Sequence, residues 1–188
     1  MWHLSRPAAA FVGRFLDEQR ALRLTYPAVG ASNGGAAPAG FALDHHRQRL
    51  GRGEGVFARA REDLRGWRMF PASWTAIEPR APIAEGEVVA VHVRAFGVWW
   101  LNAARIVYVI DEPRRFGFAY GTLPGHAERG EERFLVERLE DDEVWYDLRA
   151  ISQPRYWAAR LAYPFTRALQ RRFARASMAA MAEAARGA

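Results

Sequence analysis

The sequence contains no cysteine. Disulfides, thiolate metal sites and cysteine nucleophiles are therefore excluded, and the absence fits a reducing compartment. Lysine is missing too: all 27 residues of the Lys and Arg class are arginine. Beside abundant Ala and Gly, that bias reads as the imprint of a GC-rich genome, so arginine preference alone is no sign of nucleic-acid binding. Long apolar runs are also lacking. The longest uncharged one near the N-terminus, Ala8–Gly13, is followed by Arg14, Asp17 and Glu18, and is too short for a signal-peptide core or a membrane span. A soluble, cytoplasmic protein is expected.

What is present is apolar and aromatic. Half of the 188 residues are hydrophobic, with seven Trp, six Tyr and eleven Phe. That supplies a sizeable core for a β-rich or mixed domain with a roomy interior. The length indicates one domain over 1–188, with an N-terminal helix and a Gly/Ala/Pro-rich loop (1–40) preceding a core (41–188). The net charge of +6 is unevenly placed. Residues 1–154 carry equal numbers of Arg and acids, whereas 155–188 hold seven Arg against Glu183 alone.

Hydrophobic spacing predicts a helix from about Pro7 to Arg23, capped by Ser5, with Phe11, Val12, Phe15, Leu16 and Leu22 on one side. Tyr26–Gly40 reads as a loop, and Phe41–Leu50 as a strand. Val56, Phe57, Ala60 and Leu64 then mark an amphipathic helix ending near Gly66. Six strands follow: Trp74–Glu78, Glu87–Phe96, Trp99–Ile110, Arg115–Thr122, Arg133–Leu139 and Val144–Ser152. Pro154 opens a long C-terminal helix, Arg155 to about Ala185, kinked at Pro164. Its apolar side is expected to hold Trp157, Leu161, Phe165, Leu169, Phe173, Ala176 and Ala180, with Arg160, Arg167, Arg171 and Arg175 opposite. This order points to an α+β fold in which about seven strongly bent antiparallel strands wrap around the terminal helix, leaving a cavity between them.

The densest chemistry lies in GTLPGHAERGEERF, Gly121–Phe134. His126, Glu131 and Glu132, with Glu128 nearby, have the makings of an acid–base set if they converge at a cavity mouth. The competing reading is a salt-bridged hairpin loop in which His126 caps a backbone group. No metal is expected: His45 and His46 alternate across a strand, and no zinc-protease spacing occurs. GRGEGVF, Gly51–Phe57, lacks the spacing of a phosphate loop, and no cofactor is expected.

Six stretches carry a family resemblance: LTYPAVGAS (24–32), RLGRGEGVFARA (49–60), WRMFP (67–71), LNAARIVYVID (101–111), RFGFAYGTLPGHAERGEERFLVE (115–137) and RLAYPFTRALQRRFARAS (160–177). With these the chain resembles a domain-of-unknown-function family of bacteria and plants bearing the GTLPGH…GEE signature. That family is similar to the helix-grip superfamily of START-related and pollen-allergen-like proteins. The resemblance implies a hydrophobic cavity under the C-terminal helix and brings no catalytic residues with it.

The leading expectation is a protein that binds a small hydrophobic or amphipathic molecule in that cavity. Arg105, Tyr120, Asp147 and Arg172 are the candidate polar contacts, and Trp99, Trp100, Tyr108 and Trp145 the candidate walls. One alternative is an enzyme using His126, Glu131 or Glu132 at the same cavity. Another is a binder of anionic surfaces, nucleic acid or membrane, through the arginines of the last helix; specific nucleic-acid recognition is not expected.

Overall fold

The computed structural model describes residues 1–79, 82–155 and 163–186. Among these residues eight strands occur: β1 (Trp2–His3), β2 (Ala42–Arg52), β3 (Thr75–Glu78), β4 (Val88–Ala95), β5 (Val98–Glu112), β6 (Arg115–Thr122), β7 (Glu128–Arg138) and β8 (Glu143–Pro154). Among the described residues three α-helices accompany them: α1 (Ala9–Arg20), α2 (Glu54–Arg65) and α3 (Tyr163–Arg186). The strands form one antiparallel sheet in the order β2-β8-β7-β6-β5-β4-β3. β1 pairs with the start of β5, Trp2 opposite Trp100.

The sheet bends around its main core. On the concave face Phe116, Phe118, Phe134, Val136 and Tyr146 pack with Phe57, Ala60 and Leu64 of α2 and with Ala174, Met178 and Met181 of α3. Alternation along each strand then leaves a second apolar row on the convex face. There Val88, Ala90, Leu101 and Ala103 meet Val12, Phe15 and Leu16 of α1. Central strands covered on both faces explain why the sequence is so apolar between residues 88 and 136.

Several boundaries differ from expectation. Ser5 does not cap α1, whose N-cap is Ala8 without a side-chain bond. Pro154 does not open the last helix; it ends β8, opposite Glu128. Pro164 lies in the first turn of the described α3, a position that tolerates its missing N–H. Trp157, Arg160 and Leu161 lie outside the described residues. The apolar side of α3 is also turned from the expected one by roughly one residue's rotation, ~100°. Ala174, Ser177, Met178, Met181 and Ala185 are buried, while Phe165 is 64% exposed. Small residues allow the helix to approach the sheet closely, and Ser177 Oγ lies 2.8 Å from Tyr146 Oη.

Candidate functional site

The segment Gly121–Phe134 is mostly strand. β6 continues to Thr122, a short turn follows, and β7 begins at Glu128, well before the expected Arg133. The two strands stay in register to Gly121 opposite Glu131. Period-two alternation then divides the charged residues. Glu128 and Glu132 share the concave face with Phe134, whereas Glu131 and Arg133 share the convex one.

Between the concave face and the first half of α3, the described residues outline a concavity of about 950 Å³. Phe70, Trp74, Trp100 and Phe173 give it aromatic walls. Its polar end is built from β7, β2 and α3. Tyr120 Oη donates to Glu132 Oε2 at 2.6 Å, and Gln170 Nε2 donates to Glu128 Oε2 at 2.7 Å and to Ser152 Oγ at 3.1 Å. Arg167 grips both carboxylate oxygens of Asp44. Burial pushes the Glu132 carboxyl up to about 7, with Glu128 and Asp44 adding to the effect and the Tyr120 hydroxyl opposing it. Glu128 is raised for the same first reason, desolvation. His126 borders the concavity too. Its Nδ1 accepts the Glu128 N–H at 3.0 Å, and burial pushes the ring down to about 4, so it is neutral at pH 7.

The convex side of β7 has a different task. Glu131 is 3% exposed and accepts from Tyr26 Oη at 2.6 Å, Gly30 N at 2.8 Å and Ser32 N at 2.9 Å, and from the Ser32 hydroxyl. One carboxylate thus holds the loop that follows α1, including the 3₁₀ turn Ala31–Asn33. Beside it Arg133 Nη2 donates to Asp147 Oδ1 at 2.6 Å, and His45 Nε2 lies 2.7 Å from Asp147 Oδ2. Gly121 is required by this arrangement: a Cβ there would lie 2.3 Å from Tyr26 Oη.

Trp100, Tyr120, His126 and Glu132 are therefore brought together around the concavity. Glu131 borders it as well, but its carboxylate is committed to the loop. The other candidates lie elsewhere. Arg105, expected at a ligand's polar head, donates to the Arg20 carbonyl at 2.6 Å and the Leu22 carbonyl at 3.1 Å, closing the end of α1. Tyr108, expected as a wall, is turned outward because a bulge between Ile106 and Tyr108 reverses the strand's parity; its hydroxyl is 2.7 Å from Ser32 Oγ. Trp145 and Asp147 lie on the convex face, Trp145 beneath the Arg47 guanidinium at 5.0 Å. Trp99 is on the outer side of β5 near His92, and Arg172 stacks over Trp74 at 4.3 Å. Of the expected arginine face, Arg167 is tied to Asp44, leaving Arg171 and Arg175 exposed among the described members. Glu128 was expected only as a neighbour of the acid–base set, and Asp44 and Gln170 were not among the candidates. Glu128 sat in a presumed loop, and no local pattern reports that Arg167 holds both Gln170 and the distant Asp44.

Among the described residues no group of His, Cys, Asp and Glu has metal-binding geometry, and no helix is long and apolar enough to cross a membrane. Comparison with known proteins supplies a family. Residues 25–180 match the model of DUF1990, a domain of unknown function. The chain is 40% identical to a UPF0548 protein of Deinococcus radiodurans over 187 residues, covering 93% of this chain and 94% of that one. It is 31% identical to a UPF0548 protein of Arabidopsis thaliana, covering 76% and 72%. Among solved structures, the Zhui aromatase/cyclase from Streptomyces is similar with a TM-score of 0.58 at 16% identity, over 78% of this chain and 94% of that one. A norcoclaurine synthase from Thalictrum, solved with a transition-state analogue, gives 0.50 at 11% identity, over 81% and 97%. At such identities the likeness shows the fold alone, which is helix-grip.

Proposed function

The chain belongs to the DUF1990 family of unknown function, and from that premise we propose that it binds a small hydrophobic or amphipathic molecule between the sheet and α3. One observation carries this reading: a concavity of about 950 Å³ with aromatic walls and a few convergent polar groups at one end. That volume is at the upper part of the ~300–1,000 Å³ range of small-molecule sites, and the division into apolar body and polar end is their usual build. The similar structures include an aromatase/cyclase and a norcoclaurine synthase holding a transition-state analogue, and these agree with a small-molecule occupant.

Native mass spectrometry of the freshly purified protein tests the proposal. A discrete non-covalent mass that disappears on denaturation is expected. A single apo mass that remains unchanged after incubation with lipid and aromatic extracts would count against it.

A second reading has its own observation. Glu132 faces the concavity with a carboxyl raised to about 7 and a tyrosine hydroxyl beside it, the setting of a general acid or base near neutral pH. Under this reading Glu132→Gln retains the ligand but stops its conversion. Equal conversion by both proteins would reject Glu132 as the proton-transfer group.

A further inference from the structure

The polar end of the concavity has a definite sign. Glu132 and Glu128 project from β7, and Asp44 reaches in from β2. The cation placed among them, Arg167, already has both Asp44 oxygens. Tyr120 occupies Glu132 Oε2 and Gln170 occupies Glu128 Oε2. The second oxygens differ. Glu132 Oε1 has no hydrogen-bond partner among the described residues, and Glu128 Oε1 is buried without one.

Other charged groups bordering the space do not offset this. Arg129 lies on the opposite face of β7, held by Gln153. The Met1 amino group donates to the Leu101 carbonyl at 3.1 Å, and Arg171 is exposed. His126 and His46 are the remaining titratable cations at the wall, the former kept neutral by burial. One acceptor oxygen, Glu132 Oε1, thus faces an aromatic-walled space without a donor of its own, while Glu128 Oε1 lies buried behind it and adds only charge. A buried acceptor left unmatched is costly, and a donor supplied by a ligand removes that cost. Aromatic faces favour the same sign of charge.

We propose that the occupant is a cationic amphipath, an apolar or aromatic body bearing a protonated amine that donates to Glu132 Oε1, with the buried Glu128 carboxyl behind it adding to the attraction. This rests on the reading of the concavity as a ligand site. An anionic head, such as a fatty-acid carboxylate, meets the Glu132 and Glu128 carboxyl groups there, Asp44 being balanced by Arg167, and is disfavoured. A neutral alcohol supplies one donor without charge and falls between the two.

Displacement of the neutral fluorophore N-phenyl-1-naphthylamine at pH 8 tests the proposal. Competitors share one chain length: decylamine, decanol and decanoate. Decylamine is expected to displace the fluorophore at a concentration at least tenfold below decanoate, with decanol intermediate. Glu132→Gln should bring the amine and the acid to within about threefold of one another while still binding the fluorophore, which also shows that the variant is folded. Fluorophore binding with no preference for the amine overturns this inference and leaves the ligand-binding reading standing. No fluorophore binding at all overturns both. If Glu132→Gln does not fold, the wild-type ranking alone decides the matter.

Discussion

Glu131 and Glu132 are neighbours in β7, yet their carboxyl groups lie on opposite faces of the sheet, one clamping a loop and the other facing the concavity. Period-two geometry imposes the division, and opposite consequences of substitution follow from it. Glu131→Gln retains one acceptor oxygen but presents an amide to N–H groups that already donate, so a loss of about 2 kcal/mol is expected. Glu132→Gln keeps the Tyr120 bond and removes a desolvated acid, so stability should change by less than ~1 kcal/mol. Urea unfolding measures both. Limited proteolysis should cut Glu131→Gln, and not Glu132→Gln, within Tyr26–Gly40.

Gly121 and Tyr26 form a second dependent pair. Because a Cβ at 121 would lie 2.3 Å from Tyr26 Oη, Gly121→Ala should cost ~1–3 kcal/mol. Combined with Tyr26→Leu, the cost should be less than the sum of the single changes by about 1 kcal/mol or more. Gly130→Ala should be worse than Gly121→Ala. Its Cβ would meet the Ile151 carbonyl oxygen at 1.9 Å, at a φ of +149°, and backbone cannot swing aside as a tyrosine can.

Stability between pH 4 and 7 should reflect two opposed titrations. Glu132 is raised from 4.5 to about 7 on folding, with Tyr120, Glu128 and Asp44 as its interacting neighbours. Its contribution is present below pH 4.5 and is lost as pH rises through 7. His126 is lowered from 6.5 to about 4, facing the Glu128 N–H, the N-terminal amine and Arg155. Its contribution is present above pH 6.5 and is lost as pH falls through 4. Relative to the native protein, Glu132→Gln should therefore tilt the stability profile upward with pH, and His126→Gln should tilt it downward. Thermal unfolding across this window reads the signs directly; tilts in the same direction would contradict both assignments.

Arg105 closes the end of α1 and does not border the concavity. Arg105→Ala should lower stability by ~1–3 kcal/mol, since two backbone carbonyls lose a charged donor. Binding of N-phenyl-1-naphthylamine should remain unchanged. A variant of native stability with impaired binding would return Arg105 to the ligand's side.

Strand patterning was legible in the sequence because the apolar runs between residues 88 and 136 are long and end at turn residues. Glu128–Glu132 was not, since a strand with carboxylates on one face and a buried clamp on the other carries no apolar alternation to recognise. A one-residue bulge also displaced Tyr108 from the interior, and such an irregularity has no local signature. In α3 the buried side is made by alanine, serine and methionine, so a wheel oriented by its largest aromatic residues came out rotated. The polar end of the concavity depends on contacts between β2, β7 and α3, which only the folded chain brings together.

Filling the space provides the most direct test that the concavity is a binding site. Ala150 borders it on β8, opposite Glu132 across the strand pair, and Ala150→Trp would project a large ring into it. Fluorescence titration with N-phenyl-1-naphthylamine should show one saturable site in the native protein. That site should weaken at least tenfold in Ala150→Trp, with its far-ultraviolet circular dichroism unchanged. Equal binding by the two folded proteins, or none by the native one, would contradict the assignment of the concavity as the ligand site.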